Sequence, residues 1–250
     1  INNTYYCPDN IIIENFKPQK LAKERYILME NYILDLKEKT IKNCFKDSRD
    51  SFPDTIKNIK NISVTTNKDT HTKKLEITVE GEDKLIIIEL NKYNEIISYE
   101  NPLITKIGDD FLENNTKLKS ITMDNLEEVG GYFCYFNREI KELSFPNLKT
   151  IGDEFFVDNI KINKISLPNV EKIGNDFLFS NEKLKKLILK NLEEVGYNFL
   201  RENEILELLT APRLKNIDSY FLFQNKCLKE LLLGSVVNID KNFTYFPKKR

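Results

Sequence analysis

Residues 162–181 read INKISLPNVEKIGNDFLFSN and residues 184–203 read LKKLILKNLEEVGYNFLREN. Set one above the other, the two agree in their apolar positions and in a closing asparagine, and the agreement continues in both directions at a spacing of 22 residues. Phe111, Phe133, Phe155, Phe177, Phe199, Phe221 and Phe243 make one row, and Asn115, Asn137, Asn159, Asn181, Asn203 and Asn225 make another. A third runs from Ile107 to Ile239, a fourth from Leu118 to Leu228, a fifth from Ile121 to Leu231 and a sixth from Leu126 to Val236. Five apolar rows and one of asparagine, in register without insertion or deletion, require coils that stack so that each row becomes a continuous ridge of core.

Within a repeat the pattern alternates from Leu187, so residues 186–190 form a short strand with Leu187 and Leu189 inward and Lys186 and Ile188 outward. Strands from six coils, about 4.8 Å apart, make a parallel ladder roughly 30 Å wide, enough for a protein partner. Pro146, Pro168 and Pro212 follow the strands, where a missing N–H breaks no ladder bond. Gly108, Gly130, Gly152, Gly174 and Gly196, replaced later by Asp218 and Asp240, mark a second turn with expected positive φ. The asparagine row reads as a structural ladder whose amides donate and accept to inward-facing backbone groups.

The phrase Leu-x-x-Ile-x-Leu-Pro-Asn-Val-x-x-Ile-Gly-x-x-Phe-Leu-x-x-Asn resembles the leucine-rich repeats of bacterial BspA-like surface proteins, found also in treponemal proteins and some protozoa. The resemblance covers about the last three-fifths of the chain. Phe177-Leu178 stands where that family usually has Ala-Phe, and Asn181 where it has Cys. The resemblance implies a secreted or surface protein that contacts host or neighbouring-cell proteins.

Ahead of the repeats, residues 1–17 read as an extended arm. Pro18 suits the first turn of a helix reaching about Phe45, with Leu21, Ile27, Leu28, Tyr32, Leu36 and Ile41 mostly three or four apart. A turn and short helix are expected over Ser51–Lys60, with Ile56 and Ile59 inward. Ile62 and Val64, then Leu75, Ile77 and Val79, then Leu85–Leu90 alternate or run as strands, with a hairpin turn at Gly81-Glu82-Asp83. The fold class is therefore an α/β solenoid, a leucine-rich-repeat ladder of 22-residue repeats preceded by a small α+β capping domain. Residues 1–94 are assigned to the cap and 95–250 to the solenoid, with about six full repeats and partial end coils. A solenoid end exposes strand groups and a slice of core, which gives the cap its physical role. Ile96, Tyr99, Ile104 and Ile107 fall in the repeat rows, so a degenerate first coil starts near Glu95 and the meander runs into the solenoid sheet without a linker. At the other end, either Phe243, Tyr245 and Phe246 cover the last coil or the natural protein continues beyond Arg250.

Charged residues are 31% of the chain but cancel to a net charge of −1, which removes a global electrostatic reason to bind nucleic acid or an acidic membrane. No window of about 18 apolar residues reads as a membrane span. The one histidine, His71, lies in a polar stretch that reads as a solvated loop. Cys7, Cys44, Cys134 and Cys227 have no metal spacing; Cys134 shares a row with Leu112 and Leu178 and reads as core, and a Cys7–Cys44 bridge stays open. There is no phosphate loop, HExxH or CxxC, so no cofactor, metal or catalytic residue is assigned.

Solenoids bind through outward positions. The column Thr122, Ser144, Ser166, Ile188, Thr210, Leu232 starts polar and turns apolar, and its neighbour adds Leu208. Ile188, Leu208 and Leu232, rimmed by Lys186, Lys190 and Glu230, form the first candidate partner surface. Tyr135, Phe179 and Phe223 in the column beginning at Glu113 form the second. The leading function is a non-catalytic protein-interaction module, secreted or on the cell surface. The alternatives are the target-recognition part of a larger intracellular or injected effector, and an enzyme whose catalytic unit is the N-terminal domain.

Overall fold

The computed structural model describes residues 25–29, 31–44 and 49–242. The arm at 1–17, the first part of the expected helix, Cys7 and the aromatics from Phe243 onward lie outside the described residues.

Where a helix to about Phe45 was expected, the chain forms an antiparallel meander: β1 (Tyr26–Met29), β2 (Tyr32–Asp35) and β3 (Thr40–Asn43). The three-and-four spacing of Ile27, Leu28, Tyr32 and Leu36 was a coincidence of two strands and their turns. Tyr26, Ile27, Tyr32, Ile33 and Ile41 are strand-favouring types, and all five are buried. Asp35 then ends β2. Its Oδ1 accepts from the N–H of Lys37 (2.9 Å) and Glu38 (3.1 Å), an Asx turn that leads into β3 with Lys39 at φ 53°. The Arg25 guanidinium closes the hairpin on Asp35 at 2.7 Å.

The expected short helix is reduced to one 3-10 turn, Phe52–Thr55, with Phe52, Ile56 and Ile59 buried. No α-helix occurs among the described residues, so the α components of both the solenoid and the cap are corrected to β and turn structure. The strands expected next are present: β4 (Ile59–Thr66), β5 (Lys73–Val79) and β6 (Leu85–Leu90), antiparallel, with Gly81 at φ +78° between the last two. Then β7 (Ile96–Glu100) pairs antiparallel with β6 on one side. On its other side it pairs parallel with the solenoid strand Ser120–Thr122, setting Tyr99 beside Ile121. The meander and the first coil thus share one sheet.

Each coil carries two short strands. Two-residue strands β8 (Lys106–Ile107), β10 (Glu128–Val129), β12 (Thr150–Ile151), β14 (Lys172–Ile173) and β16 (Glu194–Val195) make one parallel ladder, and β18 (Asn216–Ile217) and β20 (Asn238–Ile239) pair beyond it. Alternating with them are β9 (Ser120–Thr122), β11 (Glu142–Ser144), β13 (Lys164–Ser166), β15 (Lys186–Ile188), β17 (Leu208–Thr210) and β19 (Glu230–Leu232). Between the ladders the phenylalanine row forms the core. Adjacent rings from Phe111 to Phe221 lie 5.2–5.6 Å apart, with interplanar angles of 9–16°. Each ring is fully buried, a contribution of about 1.5–3 kcal/mol per side chain. Tyr99 and Phe52 extend the column past Phe111, at 5.6 and 5.9 Å, and Tyr32 lies 4.4 Å beyond Phe52. The N-terminal strands therefore end the core by adding aromatics to it.

The third side of each coil has no strand. Asp176, Leu178 and Ser180, at φ 52°, 54° and 58°, alternate with right-handed neighbours, and the same three positions repeat in every coil from Asp110 to Gln224. Such residues cost roughly 1–2 kcal/mol each in the left-handed region, and inter-coil hydrogen bonds offset it. The N–H of Asp176 reaches Tyr197 O, that of Leu178 reaches Phe155 O and that of Ser180 reaches Arg201 O, all at 3.0 Å. The asparagine row completes this side. Nδ2 of Asn159, Asn181 and Asn203 donates to the carbonyl 25 residues back, Cys134 (3.0 Å), Phe156 (3.0 Å) and Leu178 (2.8 Å). The expected acceptor half is corrected: Oδ1 of every ladder asparagine is buried without a hydrogen-bond partner among the described residues. The glycine row is corrected too, because among the described residues only Gly81 has positive φ among glycines. A Cβ on Gly152 would lie 2.5 Å from the Gly130 carbonyl carbon, so this row is glycine because adjacent coils approach there without room for a side chain.

Candidate functional site

Alternation along the β9–β19 row turns every second side chain outward, so the two columns through Ile188 and Lys186 line one open sheet face. Ile188 is 49% exposed and Leu232 57% exposed. Lys186, Lys190 and Glu230 are exposed around them, while Leu208, between the two, is half-buried. Leu208 pairs in register with Lys186 on one side and Glu230 on the other, so the three share one column. The first candidate surface is thus brought together at the C-terminal half of the face.

Beside Ile188 the face is indented. A cleft of about 680 Å³ is lined by residues of β13 and β15 and the turns after them, among them Ile165, Pro168, Ile188 and four lysines. Nothing in the repeat pattern signalled it; it lies where β13 and β15 adjoin without bonding, β13 pairing with β11 and β15 with β17 in separate sheets, a break that recurs between β9 and β11.

The second candidate column lies on the side of the left-handed turns. Tyr135, Phe179 and Phe223 are half-buried there, and each ring already has a neighbour. The Arg201 guanidinium sits over Phe179 (5.3 Å) and Phe223 (5.4 Å), and Tyr135 packs on Phe136 (4.4 Å) and Tyr132 (5.7 Å). This side is acidic. Burial, with Asp110 next, raises the Glu113 carboxyl above its ordinary range, and burial raises that of Asp176. Burial, then Glu154 and Asp158, raises the Tyr135 phenol.

The remaining sequence candidates have structural places. Asn115, Asn137, Asn159, Asn181, Asn203 and Asn225 are buried in the ladder. Cys134 is buried in the core, and burial raises its thiol well above the ordinary value. His71 is exposed in the loop between β4 and β5. Among the described residues no group of three or more His, Cys, Asp or Glu is arranged to hold a metal, and no helix is long and apolar enough to cross a membrane. Glu127, Glu128, Glu193 and Glu194 pair with lysines of adjacent coils, as in Lys149–Glu127 at 2.9 Å and Lys172–Glu194 at 3.1 Å. A second asparagine row went unread. Asn125, Asn147, Asn169 and Asn191 each donate to a carbonyl 23 residues back, at 2.6–2.9 Å. Its signal in the sequence is the same 22-residue spacing.

The stacked rows, the paired ladders and the asparagine column define what the chain is similar to. Residues 127–246 match the BspA type leucine rich repeat region, in six copies. No curated protein matches the chain. The family match and the coil geometry agree on the repeat, and the repeat region of this chain is that of a BspA-like leucine-rich-repeat protein.

Proposed function

We propose that the chain is a non-catalytic protein-interaction module, working on a cell surface or after secretion, that binds a host or neighbouring-cell protein through the outward face of the β9–β19 row. The observation that carries the reading is the division of labour within each repeat. Inward positions repeat apolar residues and are buried in most coils, with Leu231 and Ile239 of the last coil exposed, while outward positions change from coil to coil and place Ile188 and Leu232 in solvent. Apolar side chains exposed among lysines and a glutamate have the composition of an interface centre with a polar rim. The family match supports an interaction role, and the resemblance of the repeats to those of BspA-like surface proteins supports the location.

The test begins with cross-linking of the labelled chain to intact candidate cells, followed by purification of the captured protein and titration against it. Ile188→Asp and Leu232→Asp, each with an unchanged melt, are expected to weaken that binding at least about tenfold. Equal affinity for wild type and both variants would remove the assignment of this face.

A further inference from the structure

We propose that the cleft between β13 and β15 receives an extended acidic segment of a protein partner. The proposal rests on the interaction-module reading above and adds the chemistry of what is bound.

Three observations converge. The first is shape: β13 and β15 form no ladder bond, and Ile165 of β13 is partly exposed, whereas Ile121, Leu143, Leu187 and Leu209 of the same row are buried and only Leu231, in the last described coil, is also exposed. The second is charge. The lining contains Lys164, Lys185, Lys186 and Lys190 and no carboxylate, in a chain whose net charge is −1. The third is pairing. Among the described residues most solenoid lysines outside the cleft meet a glutamate of an adjacent coil, as Lys229 meets Glu207 at 2.9 Å, the exceptions being Lys117, Lys119, Lys141, Lys183 and Lys241. In the cleft only Lys164 does so, with Glu142 at 3.1 Å; Lys185, Lys186 and Lys190 have no ion-pair partner among the described residues.

Glu142 pairs with Lys164, and Glu207, itself paired with Lys229, acts on Lys185 and Lys186 at longer range, so lysines stay in excess at the cleft; carboxylates of a partner relieve their repulsion while gaining Coulomb energy beside low-dielectric walls. Ile165, Pro168 and Ile188 give the cleft an apolar floor that suits aliphatic side chains between the acids. The lining has no aromatic residue on which bases would stack, which favours a protein segment over single-stranded nucleic acid.

The probe is a fluorescent peptide of about twelve residues, Asp and Glu interrupted by two isoleucines, titrated into the full chain and read by anisotropy. Saturable binding is expected, weakening at least about tenfold between about 50 and about 300 mM salt. The charge-reversed double variant Lys186→Glu/Lys190→Glu, with an unchanged melt, is expected to lose at least about tenfold in affinity and to gain affinity for the same peptide with lysines in place of its acids. Equal affinity of wild type and double variant for the acidic peptide overturns the proposal. So does tighter binding of single-stranded DNA of equal charge or of phosphatidylserine vesicles. Titration of the identified partner separates the two readings. Binding lost with Leu232→Asp but kept in the double variant refutes the acidic cleft and leaves the module standing, whereas binding kept in all variants refutes both.

Discussion

Asn181→Ala is expected to lower unfolding free energy by about 1–3 kcal/mol, and the figure follows from what the amide touches. Its Nδ2 donates to Phe156 O of the preceding coil at 3.0 Å and to Phe179 O of its own coil at 3.3 Å. Alanine strands the Phe156 carbonyl between two packed coils, a cost of about 1–3 kcal/mol for a buried acceptor. It also leaves a small void, which adds to the loss. Against this, the wild-type Oδ1 is itself buried without a partner, so its removal returns part of a standing penalty. The net stays near the stranding cost and corresponds to a drop of about 2–10 °C in Tm for a chain of this size. Asn115 is the internal control. Among the described residues it donates only to Glu113 O of its own coil, at 3.1 Å, so Asn115→Ala should cost no more than about 1 kcal/mol. Urea titrations followed by circular dichroism, run on both variants beside the wild type, give the two numbers. Equal losses at the two sites, or no loss at Asn181, would refute the idea that the row acts by joining coils.

Two further predictions concern the backbone and the cap. Gly152→Ala forces a Cβ to within 2.5 Å of the Gly130 carbonyl carbon and should cost at least about 3 kcal/mol, whereas Gly81→Ala, with open space but φ +78°, should cost about 1–2 kcal/mol; melts that rank them the other way would contradict the close-approach explanation. Burial pushes the Asp50 carboxyl up to about 6 despite hydrogen bonds from the Tyr32 hydroxyl and the Phe52 N–H. Its folded value lies above the unfolded one near 3.8, so the native state holds the extra proton between them. This group's contribution is therefore fully present below about pH 4 and is lost as pH rises through about 6, by at most about 3 kcal/mol. Asp50→Asn should flatten that part of the stability profile between pH 4 and 7 relative to wild type, and identical profiles would show that Asp50 does not carry it.

The repeat was legible because stacking imposes the same environment on the same position of every coil, and Phe133 or Leu187 has no freedom to drift. Tyr99 and Ile96 were placed in the rows on the same logic, and β7 does join the solenoid sheet. The meander of β1–β3 was misread because Ile27, Leu28, Tyr32 and Leu36 satisfy a helical spacing by accident, while the strand preference of Tyr26, Ile33 and Ile41 was given no weight. The left-handed turns were illegible for a different reason. Asp176, Leu178 and Ser180 show no preference for positive φ strong enough to announce it, and bonds to neighbouring coils impose it on them. The glycine row was seen but attributed to the wrong one of glycine's two properties: absence of a Cβ matters there, not access to positive φ. On the sheet face, the exposed positions followed from alternation. The cleft did not, since missing hydrogen bonds between β13 and β15 leave no mark in the repeat pattern.

The whole account depends on coils that stack as equivalent units, and removal of one coil tests this most directly. Deleting residues 130–151 joins Val129 to Gly152 and keeps every row in register, so the variant should remain soluble, keep its β circular dichroism and unfold cooperatively at a lower temperature. Deleting only residues 130–140 breaks the register by half a repeat and should abolish the cooperative melt. If the two deletions unfold alike, or if the half-coil deletion folds as well as the whole-coil one, the coils are not the units of this structure.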